Sequence, residues 1–254
     1  MKLRVLGCSG GIGARARTTS FLVDDDILID AGTGVEDLSV DELARIDHVF
    51  LTHSHLDHVA ALPLLVDSVG GLRQRPIVVH ALPETIAALR AHIFNWVIWP
   101  DFTEIPHYDR PWMVFEPMAL GATVSVGDRS IRSLPANHTV PAVGFHLYGP
   151  NGALAFSGDS WPTDEFWRLV NAIRDLRFLI IETAFSNRER DLAIIAKHLY
   201  PIELGEQLKN LRADAQVLIT HLKPSDAPLI AREIDAWAGR AMPRLLERGQ
   251  LLEF

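Results

Sequence analysis

The sequence predicts an α/β (α+β) protein in which two mixed sheets face each other and helices cover their outer faces. Short apolar, strand-like runs crowd the first part of each half of the chain, and helical segments crowd the later part. The 254 residues, 48% hydrophobic and 22% charged, can bury a large core. No linker or low-complexity tract divides them. We therefore expect one domain over residues 1–254, made of two halves of about 1–115 and 116–254.

Strands of the first half are recognised as short apolar runs bounded by turn residues. They are predicted at 2–7, 20–24, 26–30, 48–52 and 76–80. Three consecutive aspartates at 24–26 supply a turn between the second strand and the third. Helices are predicted at 36–45 and from Pro83 to about Asn95. Another helix is predicted around Pro63, because proline is favoured in the first turn of a helix.

The second half repeats this style, with short strands followed by longer helices. Strands are predicted at 123–126, 130–134, 142–148, 153–157, 177–181 and 216–220. Helices are predicted at 163–174, 189–198, 201–211 and 225–238. This order indicates two mixed sheets that face each other, with helices outside.

A cluster of metal-binding residue types directly follows the fourth predicted strand. His53 and His55 should leave an extended strand on the same face, because side chains alternate along it. Asp57 and His58 should then emerge from a turn at another angle. One segment can thus supply ligands to two adjacent ions, with zinc preferred and manganese or iron as alternatives. The competing interpretation is a histidine-rich polar turn, but imidazoles this dense repel one another unless a cation holds them.

Three further polar residues follow apolar, strand-like runs. His138 follows the run at 130–136, Asp159 follows the run at 153–157, and His221 follows the run at 216–219. Catalytic and binding residues often lie at strand ends, where the strands hold them in place. Each residue alone is as well explained by a structural role. Together with the first cluster they indicate one dinuclear site.

With these motifs the chain resembles the metallo-β-lactamase superfamily of metal-dependent hydrolases, over a region from near residue 1 to near residue 225. The resemblance implies the αβ/βα sandwich fold of that superfamily and a pair of divalent metal ions. It also implies hydrogen-bonded support of the site by Asp30. The implied ligands are His53, His55 and His138 for one ion, Asp57, His58 and His221 for the other, and Asp159 bridging both.

Within the superfamily, segments 55–65 and 92–102 resemble class II cyclic-nucleotide phosphodiesterases. The second segment is the more discriminating, because the first recurs with variations in many superfamily members. At Ala61 the family more often carries glycine or serine. This resemblance implies hydrolysis of a 3′,5′-cyclic nucleotide to a nucleoside monophosphate.

Glu182 after a predicted strand and His198 near a predicted helix resemble a pair found in superfamily phosphodiesterases, including tRNase Z enzymes. In-line attack on a phosphodiester needs a group that protonates the departing oxygen. The sequence therefore predicts His198 as phosphate ligand or general acid, positioned by Glu182. Asp57 is expected to combine a catalytic role with metal binding. The alternative for His198 is a helix-capping or surface histidine.

Other functions were weighed against the same residues. A tRNase Z-like nuclease would share the site but would need an RNA-gripping arm, and no Gly/Pro/Lys-rich insertion is present. A β-lactamase or thioester hydrolase has no reason to keep a phosphate-side histidine. A diiron electron-transfer protein usually carries glutamate in place of His55. A non-catalytic nucleotide-binding protein on this scaffold tends to lose ligands, and none is lost here.

Composition bears on the partners and on the compartment. The net charge of −8 argues against a protein that holds long nucleic acid, which normally shows a basic face. The substrate is expected to be a small phosphodiester. Cys8 is the single cysteine, so a disulfide framework is impossible. The first residues lack the apolar core of a signal peptide, and no stretch approaches a membrane span. We expect a cytoplasmic protein without membrane contact.

Segment 94–112 is rich in aromatic residues. Its rings could stack on a nucleobase, a contact worth about 1–3 kcal/mol per base. Tryptophans spaced in this way are more often core or subunit-interface residues. The sequence leaves both interpretations open, and we expect a homodimer. The residues concerned are Phe94, Trp96, Trp99, Phe102, Tyr108 and Trp112.

Overall fold

Two mixed sheets face each other in a computed structural model, which describes residues 1–237 and 243–254. The strands are β1 (Lys2–Gly7), β2 (Ser20–Val23), β3 (Ile27–Ile29), β4 (His48–Phe50), β5 (Ile77–Ala81), β6 (Pro106–His107), β7 (Arg110–Pro111), β8 (Met113–Pro117), β9 (Thr123–Val126), β10 (Arg129–Pro135), β11 (Val143–Gly149), β12 (Gly152–Phe156), β13 (Leu176–Glu182), β14 (Gln216–Thr220), β15 (Arg244–Leu245) and β16 (Leu251–Glu253). The α-helices are α1 (Val40–Leu43), α2 (Leu56–Val59), α3 (Leu62–Val69), α4 (Pro83–His92), α5 (Asp164–Val170), α6 (Arg190–Ala196), α7 (Pro201–Leu208) and α8 (Ala227–Asp235).

Each large sheet combines an antiparallel part with a parallel part. Within the described ranges the first sheet has the order β16-β1-β2-β3-β4-β5-β8, and the second has the order β15-β14-β13-β12-β11-β10-β9. Strands β3, β4, β5 and β8 run parallel, as do β12, β13, β14 and β15. Parallel neighbours need long crossover connections, which here carry most of the helices. The fold class predicted from sequence is confirmed, whereas the division near residue 115 stays a prediction.

The core between the sheets follows from the two-residue period of the strands. In β2, Phe21 packs into the inner core while Leu22 packs on the outer face beneath the helices. Phe21 meets Phe156 of the opposite sheet edge-to-face, with ring centroids 5.1 Å apart. Phe50 meets Phe145 in the same way at 6.0 Å. Rings from both sheets therefore interlock across the central layer.

Helices cover both outer faces. Leu65 of α3 and Leu89 of α4 pack on the first sheet. Phe166 of α5, Leu204 of α7 and Ile230 of α8 pack on the second. Among the described residues, no helix is both long and apolar enough to cross a membrane.

Several predicted boundaries were wrong around residues 26–58. Strand β3 ends at Ile29, and Asp30 has a left-handed backbone with φ 55°. Strand β4 ends at Phe50 rather than at residue 52. The helix predicted at 36–45 is a 3-10 turn followed by the one-turn α1, because Ser39 accepts from the Glu42 amide and so starts a new helix.

Other differences lie at edges of the sheets. Strands β8, β15 and β16 were missed, and β8 carries a proline at its last position, which weakens a strand signal. Helix α6 ends at Ala196, because Lys197 has a left-handed backbone. Helix α8 ends at Asp235, and residue 238, the predicted end of that helix, lies outside the described residues.

The aromatic segment 94–112 divides into buried and exposed side chains. Phe94 and Phe102 are 2% and 1% exposed, and Trp99 and Trp112 pack against the same core. Burial on this scale prevents Phe94 and Phe102 from facing a nucleobase, whereas Trp99 and Trp112 are only partly buried. Trp96 and Tyr108 remain exposed at 60% and 85%.

Two histidines outside the metal motif form a pair on neighbouring strands. His80 Nε2 lies 3.1 Å from His48 Nδ1, and the His80 ring stacks on Phe50 with centroids 4.4 Å apart. Burial, and to a smaller extent the nearby His48, lower the pKa of His80 to about 4. A buried base of this kind is neutral in the folded protein under conditions that protonate it in the unfolded chain.

This pair predicts a pH dependence of stability. The folded pKa lies below the ordinary value of 6.5, so the unfolded chain takes up the proton first and stability falls as the pH drops from about 6.5 toward 4. His80→Phe should reduce the loss of unfolding free energy between pH 7 and pH 5 by about 1–2 kcal/mol. The unfolding free energy is measured by urea unfolding of the metal-free protein at pH 7 and at pH 5. The exposed His107, changed to Gln, is the matched control. An unchanged pH slope in His80→Phe would contradict the prediction.

Candidate metal centre

Loops at the carboxyl ends of parallel strands form one cluster between the two sheets. In open α/β sheets this edge is where ligands bind. The loop after β4 carries the first histidine cluster. Asp159 follows β12, Glu182 ends β13 and His221 follows β14. His138 comes from the loop between β10 and β11, and His198 directly follows the left-handed end of α6.

The route by which the first cluster reaches the site differs from the sequence prediction. His53 and His55 lie on a loop, not on an extended strand, with ring centroids 4.6 Å apart. Asp57 and His58 lie in the first turn of α2, not in an irregular turn. The helix begins here because His55 is its N-cap, and Leu56 to Val59 then adopt helical geometry. The loop therefore orients His53 and His55 in one direction, and helix α2 orients Asp57 and His58 in another.

Four groups of three residues have ligand atoms within 4.8 Å of one another and could each hold a metal ion. They are His53, His55 and His138; His53, His58 and Asp159; Asp57, His58 and His221; and His138, Asp159 and His198. The first and third groups are the two ligand sets that the family resemblance implies. Asp159 lies in the two groups that connect them.

The Asp159 carboxylate lies at the centre of this cluster. Its Oδ2 atom is 3.2 Å from His58 Nε2, 3.2 Å from His221 Nε2 and 3.8 Å from His53 Nε2. The side chain is buried, and Gly158 before it has φ 61°. A Cβ at Gly158 would lie 2.6 Å from the Val143 carbonyl oxygen, so only glycine fits beside the aspartate. This geometry suits a carboxylate shared by two cations.

Buried imidazole nitrogens without hydrogen-bond partners test whether the site fits metal ions. In the described part of the chain these nitrogens include His53 Nε2, His58 Nε2, His138 Nδ1 and His221 Nε2. A buried polar atom without a partner is costly, and such atoms are rare in native proteins. Two divalent cations, one beside His53 and His138 and one beside His58 and His221, would satisfy these four nitrogens. The donor set of imidazoles and carboxylates is the one zinc takes.

Electrostatics favour the metal-binding form at several side chains of the cluster, whereas burial at His58 is outweighed by the Asp159 and Asp30 carboxylates, which raise its pKa well above the usual value. Burial lowers the pKa of His221 to about 3 and that of His138 to about 4. Burial also lowers the pKa of His53 well below its usual value. Burial opposes ionisation of Asp159, but the facing His221 and His58 hold its pKa well below the usual range. Neutral imidazoles and an ionised carboxylate are the ligand forms.

Asp30 fixes the orientation of His58. The fully buried Asp30 carboxylate accepts the Thr52 amide at 2.8 Å and contacts His58 Nδ1 at 2.7 Å. The Thr52 hydroxyl also donates to Asp30, at 2.9 Å to Oδ2. Because the carboxylate accepts at Nδ1, that nitrogen carries a proton, and Nε2 is the nitrogen that faces Asp159. Burial raises the pKa of Asp30, and His58 and Thr52 oppose that rise.

His221 is held on its other side by the first strands. Its Nδ1 lies 3.3 Å from Thr19 Oγ1, and its backbone has φ 68°. Its amide donates to the Cys8 carbonyl at 2.8 Å. A Cβ at Gly10 would lie 2.4 Å from the His221 carbonyl oxygen, so the glycine loop packs closely against this histidine. The glycine-rich loop at 9–13 therefore serves the site by close packing.

Glu182 and His198 lie together beside the cluster. His198 Nδ1 is 2.8 Å from Glu182 Oε1, and both side chains are buried. The His198 ring is 4.9 Å from the ring of His138 and stacks on His221 at 5.3 Å. Burial acts to lower the pKa of His198, but the Glu182 carboxylate outweighs burial and the pKa is raised. The alternative of a surface histidine is wrong, because His198 is only 7% exposed.

Sequence reasoning missed the residues that orient these side chains. Thr52, Thr19 and Ser160 each contact a site residue, and the Ser160 amide donates to Glu182 Oε1 at 3.2 Å. Thr52 and Ser160 directly neighbour His53 and Asp159 in sequence, which was an available signal. Thr19 lies 202 residues from His221, so nothing in the sequence connects them.

Comparison with known proteins adds to this geometry. The family described as the beta-lactamase superfamily domain matches residues 25–222. The chain belongs to the metallo-β-lactamase superfamily of hydrolases. One relative, from Yersinia pestis, is named a probable 3′,5′-cyclic-nucleotide phosphodiesterase and is 29% identical. The match covers 71% of this chain, which spans 58% of that protein's length. A 3′,5′-cyclic-nucleotide phosphodiesterase of Aliivibrio fischeri is 26% identical, over 87% of this chain and 80% of the relative.

Solved structures of this superfamily share the fold over the whole chain. The crystal structure of unliganded yeast PDE1 has a TM-score of 0.81 at 17% identity, over 100% of this chain and 99% of its own. The metallo-beta-lactamase fold protein YhfI from Bacillus subtilis has a TM-score of 0.77 at 20% identity, over 99% and 98%. At these identities the likeness concerns the fold alone.

The Asp30 contacts generate a prediction about metal retention. In Asp30→Asn an NH2 group replaces one of the two carboxylate oxygens. This NH2 group, itself a donor, must then face another donor, either the Thr52 backbone amide or His58 Nδ1. If it faces His58, the imidazole proton moves to Nε2, where it blocks metal binding. Zinc affinity should fall about 10–100-fold, as measured by competition with a chromogenic chelator. The exposed Asp128, changed to Asn, is the control. Parent-like zinc affinity in Asp30→Asn would contradict the assigned role.

Proposed function

We propose that this protein is a dinuclear metal-dependent phosphodiesterase that hydrolyses 3′,5′-cyclic nucleotides to nucleoside monophosphates. The observation that carries this proposal is the contact of His198 Nδ1 with Glu182 Oε1, at 2.8 Å, beside the histidine and aspartate cluster. A metal pair alone suits many ester substrates. A further buried histidine next to that cluster is needed where a phosphate oxygen must be bound and protonated.

The proposed ligands follow the groups that the fold brings together. His53, His55 and His138 would hold one ion, and Asp57, His58 and His221 would hold the other, with Asp159 within reach of both groups. Zinc is the proposed occupant, and manganese and iron are the alternatives. When bound, two such cations act as Lewis acids toward phosphate oxygens and make water more acidic.

The side chains of the chain supply the remaining steps. His198 holds a proton on the ring nitrogen opposite Glu182 and gives it to the ribose oxygen that leaves phosphorus. Glu182 accepts at Nδ1 and so keeps the ring oriented during this transfer. Asp57 keeps 28% of its side chain exposed, and its Oδ2 lies 3.6 Å from His221 Nε2. We assign Asp57 to accept a proton from the attacking water, whose oxygen forms the new bond to phosphorus as the bond to the ribose oxygen breaks.

The relatives support a small cyclic substrate. Two curated relatives carry the name cyclic-nucleotide phosphodiesterase, at 26–29% identity. The net charge of −8 also disfavours long nucleic acid. A small-molecule partner, a cytoplasmic location and a homodimer are parts of the same proposal.

A second candidate function is processing of tRNA 3′ ends. The observation in its favour is a relative named ribonuclease Z from Methanococcus aeolicus, 25% identical over 87% of this chain and 84% of its own length. That activity would use the same metal cluster and the same Glu182–His198 pair. It ranks second because the chain carries no insertion suited to gripping RNA.

Two substitutions should separate metal binding from proton transfer. Asp159→Ala should abolish hydrolysis and reduce the metal content, because both proposed ions lose a shared ligand. His198→Ala should keep its metal but slow turnover roughly 10²–10⁴-fold, because the departing oxygen loses its proton donor. Metal content and the rate of hydrolysis are measured in the same samples of each variant. The variant His107→Ala, at an exposed histidine, is the control. Hydrolysis by His198→Ala at the parent rate would exclude this mechanism.

A substrate panel tests the activity itself. Metal-loaded protein should hydrolyse 3′,5′-cyclic AMP or cyclic GMP faster than a linear chromogenic phosphodiester and should leave precursor tRNA uncut. Cleavage of precursor tRNA in preference to cyclic nucleotides would establish the second candidate. Tight nucleotide binding without any turnover would establish a binding protein on this scaffold instead.

A further inference from the structure

Lys197 connects helix α6 to His198 with a strained backbone. Its φ and ψ are 56° and 43°, in the left-handed region. The next amide, of His198, donates to the Ala193 carbonyl at 2.9 Å. This helix ending usually carries glycine at the left-handed position, because a Cβ is unfavourable there. A lysine at this position therefore keeps a conformational cost that glycine would remove.

The side chain of Lys197 gives a reason for keeping that cost. Its Nζ donates to Asn137 Oδ1 at 3.0 Å and to the His138 carbonyl oxygen at 2.9 Å. Both acceptors belong to the loop between β10 and β11, which carries one of the proposed ligands. The ammonium group thus bonds the end of α6 to a loop of the neighbouring part of the site.

These contacts close a ring of hydrogen bonds around the proposed phosphate side of the site. The Asn137 amide donates to Ser160 Oγ at 2.9 Å, and the Ser160 amide donates to Glu182 Oε1 at 3.2 Å. Glu182 Oε1 also contacts His198 Nδ1, which directly follows Lys197. Each member of the ring fixes the next, so removing one leaves the others less constrained.

We infer that Lys197 is a positioning residue that clamps the His138 loop to the helix end presenting His198. It thereby sets the 4.9 Å separation of the two imidazole rings without ligating metal itself. A loop held in its binding geometry loses less conformational freedom when metal binds. This inference rests on the proposed metal site and names a residue of this chain that supports it.

Two substitutions test the clamp in opposite ways. Lys197→Gly removes both hydrogen bonds but relieves the left-handed backbone, and Lys197→Met removes them while keeping the strain. Both should weaken zinc binding about tenfold or more, as measured by chelator competition on the full chain. Urea unfolding of metal-free Lys197→Gly should give a midpoint equal to or above that of the parent. Lys197→Met should not exceed the parent.

The test compares zinc affinity with the urea unfolding midpoint, because a positioning role changes the first without lowering the second in Lys197→Gly. A side chain that merely supported the fold would lower the unfolding midpoint of Lys197→Gly together with its zinc affinity, and that result would overturn the inference. Parent-like zinc affinity in both variants would overturn it as well. Lys209→Met, at an exposed lysine, should match the parent. If the parent protein itself bound no zinc, the proposed function and this inference would fail together. If the parent binds zinc and hydrolyses phosphodiesters while both variants match it, only the inference about Lys197 fails.

Discussion

The contact of the Asp159 carboxylate with imidazole nitrogens is the interaction on which this site depends. His58 approaches it from the first sheet and His221 from the second, each at 3.2 Å. Histidines from both sheets therefore contact the same oxygen atom, Asp159 Oδ2, at the edge where the parallel strands end. Several buried imidazole nitrogens around this carboxylate have no hydrogen-bond partner in the described residues. A cation is the simplest physical solution to that arrangement.

Backbone strain marks the same place. Asp30, His221 and Lys197 all have left-handed backbones, although none of them is glycine. Such conformations persist only where surrounding contacts determine them, and they concentrate at functional sites. Here each one is accompanied by contacts to the site, through His58 for Asp30, through the residue's own ring for His221, and through His138 for Lys197. Unfavourable backbone conformations at these residues thus accompany the contacts that orient the proposed ligands.

The substrate question turns on a small part of the site. The metal cluster is common to a superfamily whose relatives here include both cyclic-nucleotide phosphodiesterases and ribonuclease Z proteins. The proposed phosphodiester chemistry depends on the Glu182–His198 pair, which adds a buried, oriented imidazole next to the proposed ions. Size and charge of the substrate then depend on the rim of the site. In the aromatic segment 94–112, Phe94 and Phe102 lie in the core, and Trp99 and Trp112 are partly buried against it.

The sequence by itself determined the fold class, most strands and the residue types of the site, because periodicity and a dense histidine motif are local properties. It placed His53 and His55 on a strand, whereas the chain leaves the sheet at Phe50 and reaches them through a loop. Only the tertiary structure decided that these ligand groups come within reach of one another, which nitrogen of His58 faces Asp159, and that Lys197 reaches the loop of His138. Those facts depend on contacts between segments far apart in the chain, and no local pattern encodes a distance between two such segments.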